Sequence, residues 1–196
     1  MDKPSSECLD LHEYIEQFID LLRNGSVQVY NECSLQCELW LFLSQRLPSG
    51  WKVELERNVS HFDLVKTGLL KSELDIAVYR NDDRHCIELK FPQNGQVPEQ
   101  MFKACMDIRF LEQLVNAGFS SGILVMLTPD HLFCVPARKN SGLYAMFRCG
   151  QEVTGDIIKP TGKKDESFTV CGSYPISWNN VMGKLRYCTV KVKSPK

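Results

Sequence analysis

The chain has 196 residues, 43% apolar and 24% charged, with 23 basic against 24 acidic side chains and a net charge of -1. That composition excludes collagen-like, disordered and membrane-embedded proteins. At this length one domain is expected, large enough to bury a core without metal or disulfide staples, so any metal would serve chemistry.

Helical spacing of Leu11, Tyr14, Ile15, Phe18, Ile19 and Leu22, closed by Asn24-Gly25, predicts a first helix over about 8–24. A second, over about 32–47, carries Leu35, Leu39, Phe42, Leu43 and Leu47 on one face and stops at Pro48-Ser49-Gly50. Three alternating segments then predict strands at 52–59, 73–79 and 85–91. After Pro92-Gln93-Asn94-Gly95 comes a third helix over about 98–117, capped by Gly118. Residues 121–127 form a continuous apolar run, the pattern of a strand covered on both faces. Beyond Pro129, short strands and turns are expected, with Trp178 and Tyr187 packed among them.

The nine cysteines contain no C-x-x-C pair and mostly lie in apolar stretches such as Ala104-Cys105-Met106 and Phe133-Cys134-Val135. They are expected to be small buried hydrophobes in a reducing, cytoplasmic setting. Cys33 and Cys37 lie one helical turn apart, but no second pair completes a zinc site. The acidic amino terminus contains no unbroken apolar stretch, so neither a signal peptide nor a membrane span is expected.

Charge is unevenly distributed. Residues 1–130 carry a net charge of -8 and residues 131–196 a net charge of +7. A basic surface concentrates polyanions and supplies phosphate contacts. The alternation in Val190-Lys191-Val192-Lys193 also suits an exposed sheet edge blunted by lysine.

The strands at 73–79 and 85–91 are joined by Arg80-Asn81-Asp82-Asp83-Arg84, a hairpin composition. If the turn centres between Asp82 and Asp83, Asp75 faces Lys90; a register two residues away makes it face Glu88. In both, Asp75, Glu88 and Lys90 project opposite to Leu74, Ile76, Ile87, Leu89 and Phe91. Two carboxylates held this close repel, and burial raises the cost. A divalent cation removes the conflict, and oxygen ligands without thiol or imidazole suit Mg2+ or Mn2+, which also bind substrate phosphate. Lys90 would then position or deprotonate water, or neutralise developing charge. A surface salt bridge is the plainer reading of the same residues.

The segments Ser72-Glu73-Leu74-Asp75-Ile76-Ala77-Val78-Tyr79 and His85-Cys86-Ile87-Glu88-Leu89-Lys90-Phe91 resemble the D…(D/E)-x-K signature of the PD-(D/E)xK nuclease superfamily. The order from 31 to 127 (helix, three strands, helix, strand) is also that family's core. The resemblance implies an α/β protein with a restriction-endonuclease-like core. An extra N-terminal helix precedes it, and a β-rich, basic C-terminal extension occupies about 128–196 of the same domain. It implies that Asp75 and Glu88 bind the metal and that Lys90 assists the attacking water. Leu74 replaces the proline of the family's name.

Family members often add a Glu from the preceding helix, for which Glu32, on the core-facing stripe, is preferred to Glu38. They also carry Gln or Lys on the following helix, where Gln100, Lys103 and Asp107 share one face. Nucleic-acid contacts are expected from Gln100, Lys103, Lys163, Lys164, Lys184 and Arg186. The implied activity is Mg2+- or Mn2+-dependent hydrolysis of DNA, by a monomer or a homodimer. The competing reading is a non-catalytic nucleic-acid-binding or protein-interaction module with the same fold. Cysteine nucleophiles with histidine partners (His12, His61, His85, His131) have no supporting motif.

Overall fold

The computed structural model describes residues 9–93, 95–136, 138, 140–162 and 166–193. Helices α1 (Leu11–Arg23) and α2 (Glu32–Arg46) are followed by strands β1 (Lys52–Asn58), β2 (Glu73–Arg80) and β3 (Asp83–Lys90). Helix α3 (Val97–Asn116) and strand β4 (Ser121–Thr128) come next, then a short α4 (Leu143–Arg148), which the sequence pattern did not suggest. Strands β5 (Val153–Ile158), β6 (Ser167–Tyr174), β7 (Asn179–Asn180) and β8 (Arg186–Lys193) complete the chain. The protein is thus mixed α/β.

Six strands form one sheet in the order β1-β2-β3-β4-β8-β7, and β5-β6 form a separate hairpin. β3 and β4 are parallel, joined through α3; the other pairings are antiparallel. A parallel neighbour requires a crossover, and α3 provides it. All eight residues of β4 are buried, as expected of a strand covered on both faces.

The apolar face of α1 (Leu11, Ile15, Phe18, Ile19, Leu22) and that of α2 (Leu35, Leu39, Leu43) cover one side of the sheet, against Ile76, Val78, Ile87, Leu89 and Val125. α3 lies on the other side with Phe102, Ile108, Leu111 and Leu114 against Ala77, Cys86, Leu124 and Met126. Asn31 starts α2 with a capping box shared with Ser34. The approach of α3 to β4 depends on Gly122, where a Cβ would lie 2.7 Å from Leu111 Cδ2 and 2.9 Å from its Cβ. β8 lies beside β4, its Cys188, Val190 and Val192 entering the α3-side core while Lys191 and Lys193 face solvent. Trp178 donates from Nε1 to Phe147 O at 2.9 Å, and Tyr187 packs on the α1 side.

The structure selects one of the two hairpin registers and corrects one face assignment. The hairpin pairs Arg80 with Asp83 and Ile76 with Ile87, so the turn is Asn81-Asp82, with Asn81 at φ 55°, and the second register holds. Leu74 does not share the face of Ile76 and Ile87 but packs in the α3-side core. The β1-β2 ladder skips the Glu56/Asp75 pair, where Glu56 has φ 50°, and strict alternation fails at that break.

The cysteines are also less buried than expected: Cys86, Cys105 and Cys188 are buried, whereas Cys33, Cys37, Cys149 and Cys171 are exposed. Among the described residues, no helix is long and apolar enough to cross a membrane.

Candidate active site

The paired residues of β2 and β3 end at Ile76 and Ile87, and carboxylates take over where the pairing stops. Asp75 Oδ2 accepts from the Leu89 N–H at 2.8 Å, and Glu88 Oε1 accepts from the Asp75 N–H at 3.4 Å. Both acids thereby satisfy main-chain donors that a longer ladder would have paired. They end up adjacent on the α3 side of the sheet.

Glu88 is fully buried and Asp107, from α3, is 3% exposed. Two lysines meet this acidity. Lys71, at the end of the segment before β2, is hydrogen-bonded to Glu88 Oε2 and lies 3.2 Å from Asp107 Oδ1 and 3.7 Å from Asp75 Oδ1. Lys90 Nζ lies 2.7 Å from Asp107 Oδ2 and donates to Leu89 O at 2.9 Å. That contact with Asp107 is an ion pair without hydrogen-bond geometry, which leaves the buried Oδ2 with no hydrogen-bond donor.

Burial, then the charges of Asp75 and Asp107, push the Glu88 carboxyl well above its ordinary range despite Lys71. Burial alone would lower both lysines. For Lys71 it is outweighed by Glu88, Asp107 and Asp75, and for Lys90 chiefly by Asp107 and Glu32, so both are held as ammonium ions. Asp75 and Asp107 thus face two ammonium groups, and the Glu88 carboxyl between them is inclined to keep its proton.

α3 also holds the segment that delivers Lys71. Gln113 accepts from the Leu70 N–H at 2.9 Å and donates to Gly68 O at 2.8 Å, while Lys71 Nζ lies 5.6 Å from the centre of the Phe110 ring. From α2, Gln36 donates to Asp75 O at 2.8 Å and to Glu56 Oε1 at 2.6 Å.

The structure places Asp75 and Glu88 in contact, with Lys90 joined to the same cluster through Asp107. Glu32 reaches the same end of the sheet, accepting from the Phe91 N–H at 3.0 Å. It is exposed rather than buried on the helix stripe. Glu38 makes no hydrogen bond or ion pair with these residues. Lys103 is exposed and Gln100 half-buried, and neither side chain bonds to the cluster. Arg186 opens β8 opposite Thr128, the last residue of β4, and Lys184 precedes it by two residues. Lys163 and Lys164 fall outside the described residues.

Sequence reasoning missed Lys71 and Gln36, and placed Asp107 only on a helix face shared with Gln100 and Lys103. A signal for Asp107 was available: it precedes the core residues Phe110 and Leu111 by three and four positions, hence shares their face. Lys71 had none, since it lies outside any periodic element.

The donor set is mostly oxygen, which suits a hard cation, but the Cys86 thiol lies 3.6 Å from Glu88 Oε1 and Asp107 Oδ2 already faces the Lys90 ammonium at 2.7 Å. Among the described residues no three His, Cys, Asp or Glu side chains converge as a ready ligand group. Mg2+ ordinarily needs one or two carboxylates, with water and substrate phosphate completing its shell. No family model, curated protein or solved structure is a significant match to this chain.

Proposed function

We propose that this chain is a metal-dependent nuclease that hydrolyses DNA phosphodiester bonds, built on a restriction-endonuclease-like core over about residues 31–127. The reading rests on one observation: Asp75 and Glu88, from neighbouring strands just past the point where β2 and β3 cease to pair with each other, lie against one ammonium group with Lys90 on the same face. The order α2-β1-β2-β3-α3-β4 supports the core.

Asp75 and Glu88 would hold Mg2+ or Mn2+, which supplies Lewis-acid stabilisation of charge on the phosphoryl oxygens. Asp107 orients Lys90 through their ion pair and keeps it protonated. Lys90 therefore acts as a fixed positive charge facing the developing phosphorane charge, rather than as a base. Glu32 fixes the backbone at Phe91, one residue beyond Lys90. A double-strand break would require two such sites, supplied in this reading by a homodimer on the duplex.

The test is cleavage of linear, supercoiled and single-stranded DNA in Mn2+ or in EDTA, by wild type, Asp75→Ala and Lys90→Ala. Cleavage is expected in Mn2+, none in EDTA, and a loss of about 10²- to 10³-fold in each variant. Cleavage indifferent to metal or to either substitution would overturn the mechanism. The non-catalytic module draws on a different observation, that Lys71 already bonds the carboxylate a metal would need. DNA binding without turnover, surviving both substitutions, would establish that reading instead.

A further inference from the structure

Beyond the ends of β3 and β4 the surface folds into a cavity of about 470 Å3, whose walls include Gln93, His131, Val135, Lys184 and Arg186. That volume suits a small organic ligand. Its position follows from the register. Lys90, Met126 and Cys188 form one row across β3, β4 and β8, and Thr128 pairs with Arg186 two residues further along the same face. Thr128 Oγ1 donates to Pro92 O at 2.9 Å, extending that second row back to the exit of β3. Two residues and two strand spacings separate the backbone of Lys90 from that of Arg186, about 12 Å. The cavity therefore opens on the side of the sheet that carries Glu88 and Lys90, at the same end.

Its polar groups fit an anion. Arg186 donates from Nη1 to the carbonyls of Gly183 (3.2 Å) and Leu185 (3.4 Å), and among the described residues its Nε and Nη2 have no hydrogen-bond acceptor. That edge has the fork geometry that binds phosphate oxygens in pairs. Lys184 is exposed and, among the described residues, has no hydrogen-bond or ion-pair partner. The one acid in the lining, Asp130, is engaged at Oδ1 by the Leu132 N–H at 2.9 Å. The remaining wall is less polar: Val135 is 49% exposed and the His131 side chain 78% exposed.

We propose that this cavity binds one nucleotide unit of a single DNA strand. Its phosphate lies on the Nε/Nη2 edge of Arg186 and on Lys184, and its base lies against Val135 and the His131 imidazole. The proposal relies on the nuclease reading only for the claim that the bound strand continues toward Asp75 and Glu88.

Fluorescence anisotropy of a labelled single-stranded DNA oligonucleotide, titrated in EDTA at several salt concentrations, tests it without turnover. The double variant Lys184→Ala/Arg186→Gln is expected to bind about tenfold or more weakly, with a salt slope reduced by about 0.7, the single-strand value for one phosphate contact. Lys191→Ala, an exposed lysine elsewhere on β8, should change affinity less than about twofold, and Asp75→Ala should bind no more weakly than wild type. Wild-type affinity in the double variant, with its melting curve intact, would overturn the proposal. So would an equal loss in Lys191→Ala, which would mean diffuse attraction to a basic surface. The two readings fail separately. Metal-independent cleavage, or cleavage by Asp75→Ala, removes the nuclease mechanism and leaves the binding result standing; normal binding by the double variant removes the cavity alone.

Discussion

Lys71 is the residue on which the balance of the site turns. One ammonium group lies within 4 Å of three carboxylates, two of them nearly or fully buried. Removing one partner of a buried ion pair costs more than the pair contributes, because the remaining charge is left without compensation. Lys71→Met is therefore expected to destabilise the protein at neutral pH by roughly 1–3 kcal/mol, read by urea unfolding. The loss should depend on pH. Glu88 has a folded pKa above its unfolded value of about 4.3, so the folded state holds its proton longer, and stability falls as pH rises through that interval. Without Lys71 the folded value rises further. The variant should thus match wild type most closely near pH 4 and fall behind progressively toward pH 8. Mn2+ should restore more of the melting temperature in Lys71→Met than in wild type, since the ion would take over the missing compensation. Equal response to Mn2+ in both proteins would separate Lys71 from the metal position.

At the level of elements, α3 ties the two halves of the molecule together. Its sheet-facing side fixes Asp107 beside both lysines, Gln113 pins the segment leading to Lys71, and Glu112 holds the β5-β6 hairpin. The Glu112 carboxylate accepts from the N–H groups of Cys171 (3.1 Å) and Gly172 (2.6 Å) and from the Tyr174 hydroxyl (3.0 Å). Burial would raise its pKa, but these bonds and Arg109 outweigh it and hold the group below its ordinary value. Gly172 permits the last of these contacts, since a Cβ there would lie 2.5 Å from the Tyr174 hydroxyl oxygen. The seat of α3 on β4 is equally tight at Gly122, where even the Leu111 Cβ is too close for a methyl group. Gly122→Val should cost roughly 1–3 kcal/mol in urea unfolding through overpacking. Displacement of α3 should also carry Asp107 away from Lys90, so cleavage in Mn2+ should fall more steeply than the folded fraction. Activity that tracks the folded fraction alone would mean that α3 does not set the site geometry.

For the whole molecule, the charge separation between residues 1–130 and 131–196 falls across one sheet. The acidic part supplies the carboxylates, and the basic part supplies β8, Lys184 and Arg186. These two parts do not come apart as modules, because β8 pairs along the whole length of β4 and its Cys188, Val190 and Val192 complete the core under α3. A chain ending at residue 182 would expose the unpaired edge of β4, whose eight residues are all buried in the native protein. Such a truncation is expected to lose cooperative thermal unfolding by circular dichroism. A cooperative melt would show instead that the first four strands form a self-sufficient unit.

Periodicity located α1 to α3 and β1 to β3, each of which turns one face to a core, while β4 was marked by an unbroken apolar run because both its faces are covered. It also determined that Asp75, Glu88 and Lys90 share a side, since alternation in β3 and the hairpin connection allow little else. Between the two hairpin registers the amino-acid pattern was neutral: shifting the pairing by two preserves every face, and only the tertiary structure selected Ile76 opposite Ile87. Leu74 escaped prediction because a left-handed residue on the neighbouring strand breaks the alternation. Lys71, Gln36 and the burial of Asp107 were decided by the packing of α2 and α3 on the sheet, as was the junction of β8 with β4. These are contacts between residues distant in sequence, and no local period records them.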